Sequence, residues 1–88
     1  MLKIESIRMA DGRPKLRVEG RVIGPWVAEL QLACERALGE GAGLALDLSE
    51  VAFVDHTGVE LLCTLGQQGV VLDCSAFVAE QLRARGWR

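Results

Sequence analysis

The residues most able to do chemistry in this chain form one short run, Asp55-His56-Thr57-Gly58. It lies between an apolar stretch, Val51-Ala52-Phe53-Val54, and an amphipathic segment in which Val59, Leu62, Cys63 and Leu65 recur at helical spacing. That context makes it a helix N-terminus. Asp55 or Thr57 can accept hydrogen bonds from backbone N–H groups that have no partner within the helix. The same N–H groups and the helix dipole favour a negative charge there, such as a phosphate. His56 adds a group that changes charge near neutrality, suited to a pH sensor or a general base. As a catalytic pair Asp55 and His56 are disfavoured, because sequence neighbours rarely point at each other. His56 and Cys63 are two helical turns apart, about 10 Å along the axis, too far to share a metal ion.

The remaining chemistry would be thiol chemistry. Cys34, Cys63 and Cys74 are odd in number and have no metal-type spacing, so neither a disulfide framework nor a zinc site is expected. Cys34 and Cys63 fall on apolar helix faces and read as small hydrophobes. Cys74 precedes a third helix, where a thiolate would be stabilised, but buried filler is the favoured reading for it. No glycine loop of the phosphate-cradling kind and no nucleophile–base spacing appears. A small nucleotide-binding or thiol protein is therefore the weakest functional reading, and no catalytic residue, metal or cofactor is expected.

The elements that hold this run follow from hydrophobic periodicity. Leu2 and Ile4 share one strand face and Ile7 and Met9 the other, which suggests a strand with a bulge. Asp11-Gly12 is a turn, and Leu16, Val18, Gly20 and Val22 alternate with charged residues in a second strand antiparallel to the first. Pro25 suits the first position of a helix carrying Trp26, Val27, Leu30, Cys34 and Ala37 inward, closed by Gly39, Gly41 and Gly43. Residues 44–48 form a short strand parallel to the second, joined by a right-handed crossover, and residues 49–58 read as a turn, a brief apolar run and the polar cluster. The second helix ends at Gly66 and Gly69, and residues 70–72 make a fourth strand. Ser75 caps a third helix with Phe77, Val78 and Leu82 inward and Arg83, Arg85 and Arg88 at its C-terminal end. The fold class is thus α/β: one small domain over residues 1–88, with a mixed four-stranded sheet, the first strand antiparallel and the others parallel, flanked by three helices.

With 88 residues, half of them hydrophobic, and a net charge of −2, the chain has an adequate core but little room for a deep pocket. Near-neutral charge argues against nucleic acid as a partner. No apolar run approaches the roughly 18 residues that span a bilayer, so direct membrane insertion is not expected. The N-terminus is charged where a signal peptide needs apolar residues, which points to the cytoplasm.

Residues 47–62, from Asp47-Leu48-Ser49 through Val51, Phe53, Asp55 and Gly58 to Leu61-Leu62, resemble the signature of the STAS domain. The family includes bacterial anti-sigma-factor antagonists and the cytoplasmic domains of sulphate transporters. The resemblance extends more generically from Leu16 to Leu82. It implies a non-enzymatic interaction module of signal transduction and transcription regulation, binding an anti-sigma factor or serine-kinase-like protein. An accessory role on a transporter ATPase is the alternative it allows. The implied partner surface comprises Asp55, His56, Thr57 and Gly58 with Arg21 and Ile23, since the loop leaving the second strand should lie near the motif. In anti-sigma-factor antagonists the residue after the motif's aspartate is a phosphorylated serine or threonine. Here His56 occupies that position, and imidazole has no hydroxyl. Thr57 has one and is the remaining candidate for phosphorylation, but it lies a residue later and roughly 100° further round the helix. The family often has an acidic residue three positions after the strand's glycine, where this chain has Ile23. The resemblance thus implies a binder without the usual serine switch. Family members commonly continue with another strand and helix, so the last helix, with Trp87, is expected to offer an aliphatic surface to a homodimer or a partner.

Overall fold

In a computed structural model the described residues are 2–38 and 43–86. They form β1 (Leu2–Arg8), β2 (Pro14–Val22), α1 (Pro25–Leu38), β3 (Ala45–Val54), α2 (His56–Gln67), β4 (Val71–Cys74) and α3 (Ala76–Ala84). The strands lie in the order β1-β2-β3-β4, with β1 antiparallel to β2 and the other pairs parallel. This is the mixed sheet and three-helix complement that the periodicity predicts. The closing glycines Gly39 and Gly41, and Trp87 and Arg88, lie outside the described residues.

One core holds the layers together. Leu16, Val18 and Val22 of β2 and Leu46 and Leu48 of β3 pack with Val27, Leu30 and Cys34 of α1, with Val59, Leu62 and Leu65 of α2, and with Val78 and Leu82 of α3. Each fully buried Val or Leu contributes about 1.5–3 kcal/mol. The alternate positions of β2, Lys15, Arg17, Glu19 and Arg21, lie on the other face, where none of them is buried. No helix among the described residues is long and apolar enough to cross a membrane.

Five local expectations need correction. The first strand has no bulge: its register runs unbroken from Leu2 opposite Gly20 to Arg8 opposite Pro14. Its apolar residues simply occupy both faces, and Ile7 is exposed opposite Lys15. The third strand does not stop at Leu48 but runs on to Val54. It does so with an extra residue twice, between the pairs Arg17–Asp47 and Glu19–Glu50, and again between Gly20–Val51 and Arg21–Phe53. At the first bulge Asp47 Oδ1 accepts from Ser49 Oγ at 2.6 Å and from Ser49 N at 3.1 Å. This local bond absorbs a residue that otherwise signals a turn. Gly66 lies inside α2; the helix is closed by Gly69, at φ +93°, with Gly69 N donating to Gly66 O and Val70 N to Leu65 O. The fourth strand begins at Val71 rather than Val70, whose side chain is buried just before it. Phe77 is exposed, and Ala79 takes the inward place beside Val78 and Leu82.

Gly58 sits at a close approach between layers. A Cβ there would stand 2.7 Å from Val22 O and 2.7 Å from Val54 Cγ1. Gly58→Ala therefore overpacks the junction of β2, β3 and α2, and the cost outweighs the helix propensity gained. Urea denaturation of this variant is expected to give a net destabilisation of about 1–3 kcal/mol with an unchanged m-value.

Candidate functional site

The end of β3 and the start of α2 are organised by the carboxylate of Asp55. Its backbone is extended (φ −82°, ψ 179°), as an N-cap requires. Oδ1 accepts from Gly58 N at 2.8 Å, and Oδ2 accepts from Gly24 N at 2.9 Å. One side chain thus caps α2 and also holds the loop between β2 and α1, 31 residues earlier. A backbone bond from Asp55 N to Val22 O, 3.1 Å, reinforces the same junction. Gly24 turns its N–H toward the carboxylate with φ +53°, a conformation that favours glycine. The two N–H donors, Gly24 first and Gly58 next, hold the Asp55 carboxyl below its ordinary value of 3.8.

His56 and Thr57 diverge from this cap. His56 is exposed, and its Nε2 lies 2.8 Å from Oε1 of Glu60, one turn further along α2. Arg85, at the C-cap of α3, donates from Nη2 to the same Glu60 oxygen at 2.8 Å, and this Nη2 is 3.3 Å from His56 Nε2. In the tautomer that carries its proton on Nε2, His56 donates to Glu60. Beside this network lies an open hollow of about 270 Å³ lined by Val54, Asp55, His56, Val59, Gln81, Ala84 and Arg85. Gln81 donates from Nε2 to Val54 O at 3.1 Å, while its Oε1 is buried and has no partner. Thr57 instead lines the groove between α1 and α2 with Val27, Gln31, Glu60, Leu61 and Thr64. The two neighbours thus serve different surfaces.

Of the other expected site residues, Arg21 is exposed and sits opposite Phe53 in the sheet, and Ile23 is half-buried in the loop tied to Asp55. Gly58 is buried and contributes its N–H to Asp55. The loop leaving the second strand therefore does lie beside the motif. Glu60, Gln81 and Arg85 were not anticipated. The four-residue spacing of His56 and Glu60 on a helix is a signal for the first of these, whereas Gln81 and Arg85 reach the site only through tertiary packing.

Among the described residues no group of three or more His, Cys, Asp or Glu side chains is placed to hold a metal ion. Burial pushes the Cys34 thiol up to about 12. Cys74 is raised to about 11 by burial and by the neighbouring Asp73, in keeping with filler rather than a reactive thiolate. Cys63 is also raised by burial. No protein-family model matches the chain, and no curated protein matches it.

The pH dependence of the Asp55 cap has a definite sign. A carboxyl lowered by folding contributes stability that is fully present above its unfolded value and is lost as pH falls through the folded one. Asp55→Ala is expected to lose about 1–2 kcal/mol at neutral pH. In denaturation at a series of pH values, that gap to wild type should close below about pH 4. For the cysteines, a disulfide reagent at about pH 8 should modify the native chain far more slowly than the urea-unfolded chain. Rapid labelling of native Cys74 would contradict the assignment.

Proposed function

We propose that the chain is a non-enzymatic protein-interaction module resembling an anti-sigma-factor antagonist of the STAS family, working without the usual serine phospho-switch. The observation that carries this reading is the double hydrogen bond of Asp55, which joins residues 21–25 and residues 55–58 into one surface. These are the two segments that the family resemblance of residues 47–62 makes partner-facing. The element order agrees with what that resemblance implies, and the shallow, open hollows suit a protein surface better than an enclosed small substrate.

The departure at the switch position also has a physical basis. A hydroxyl at position 56 would face the Glu60–Arg85 pair across α2 and α3, where an added phosphate would meet both a carboxylate and a guanidinium. His56 has no hydroxyl to offer. The Thr57 hydroxyl belongs to the α1–α2 groove and is not a substitute in the same place. The module is thus a constitutive binder toward a kinase that acts at position 56.

The test has two steps. Affinity capture with the whole chain from a bacterial cytoplasm should recover a histidine-kinase-like ATPase; recovery of a transporter ATPase would support the accessory-subunit reading instead. Incubated with the recovered kinase and ATP, the wild-type chain should keep its intact mass, while His56→Ser should gain one phosphoryl group. A stoichiometric phosphate on Thr57 of the wild type would overturn the claim that the switch is missing.

A further inference from the structure

We infer that the outer edge of β1 pairs antiparallel with the same edge of a second copy of this chain, Ile4 meeting Ile4 on a two-fold axis. The inference goes beyond the interaction-module reading and does not depend on it.

β1 is an outer strand of the sheet, with β2 on one side and, among the described residues, no strand on the other. Such an edge is a template for a further strand unless its side chains oppose one. Which backbone groups it offers follows from the hairpin. Met9 N donates to Arg13 O at 2.9 Å, and Met9 O accepts from Gly12 N at 2.9 Å. Met9 thus turns both groups toward β2, and in an antiparallel ladder such residues alternate with ones that turn both away. The register is unbroken, so Lys3, Glu5 and Ile7 bond to β2 while Leu2, Ile4 and Ser6 point N–H and C=O outward.

Side chains select how a second copy pairs there. Lys3 and Glu5 are exposed on the face away from the helices, opposite Glu19 and Arg17. A two-fold axis at Lys3 or at Glu5 would set like charges against each other, and one at Ser6 would set Glu5 against Ile7. An axis at Ile4 sets Lys3 of each copy against Glu5 of the other. It also places hydrogen-bonded pairs at Ile4–Ile4 and at both Leu2–Ser6 positions, the residues whose backbone groups point outward. Across the seam the exposed row reads Glu19, Lys3, then the second copy's Glu5, Arg17 and Asp47, alternating in sign at every step.

The helix-covered face matches as well. Leu2 and Ile4 are only half-buried against the core. Beside them is a hollow of about 220 Å³ lined by Ile4, Ser6, Leu16, Ala33, Arg36 and Ala37. With the axis at Ile4, Leu2 of the second copy stands opposite Ser6, on the face where this hollow opens. The β4 edge has no such match, because its four residues, Val71 to Cys74, carry one charge, Asp73, and no cation to oppose it.

The test uses the whole chain in sedimentation equilibrium and in amide exchange. The mass should rise toward that of a dimer as the concentration approaches about 1 mM. Exchange at Ile4 and Ser6 should slow over the same range, while Glu5, already bonded to β2, stays unchanged. Lys3→Glu and Glu5→Lys, each checked for folding by circular dichroism, set like charges at both ends of the seam. Each should weaken self-association roughly tenfold. Mixed together, the two variants should associate with each other, since an acid then faces a lysine at both pairs. A chain that stays monomeric, exchange at Ile4 and Ser6 that ignores concentration, single variants that self-associate as well as wild type, or a mixture that does not associate would each overturn the inference.

Discussion

The domain depends on one carboxylate serving two backbones. Asp55 ends β3, caps α2 through Gly58 N and reaches back to Gly24 N at the head of α1. A parallel pair of strands needs its crossover helices to start from the same end of the sheet, and each start leaves N–H groups without partners. Asp55 satisfies one such group in α2 and another in the loop before α1. It thereby sets the distance between those two helix starts. The buried Gly58 is a consequence: with the layers drawn this close, there is no room for a Cβ between α2 and the ends of β2 and β3.

The same bond decides the electrostatics of that end. A carboxylate bound to two N–H groups keeps its negative charge, and Glu60 shares its Oε1 between Arg85 and His56. Arg21 faces outward beside them, with exposed Phe53 and half-buried Ile23 next to it.

Much of this was legible in the sequence, and the exceptions have physical reasons. The Pro25 start, the Asp55 and Ser75 caps and the alternation of β2 are local rules acting within a few residues, and they read correctly. The length of β3 did not, because Ser49-Glu50 carries turn chemistry that the Asp47–Ser49 bond converts into a bulge. Gly66 reads as a helix stop, yet the Schellman closure belongs to Gly69. Phe77 reads as core, but the narrow apolar stripe of α3 is filled by Val78, Ala79 and Leu82. Within the site, Asp55 and its cap were accessible from spacing. Its second acceptance, from Gly24, and the Arg85 contact to Glu60 join residues 31 and 25 positions apart, so only the assembled fold reveals them.

Hydrogen exchange at the Gly24 and Gly58 amides tests the central claim most directly. Both amides should exchange slowly in the wild-type chain, and both should lose protection together in Asp55→Ala while the core amides of β2 stay protected. A Gly24 amide that exchanges freely in the wild type, or that keeps its protection without the Asp55 carboxylate, would contradict the account.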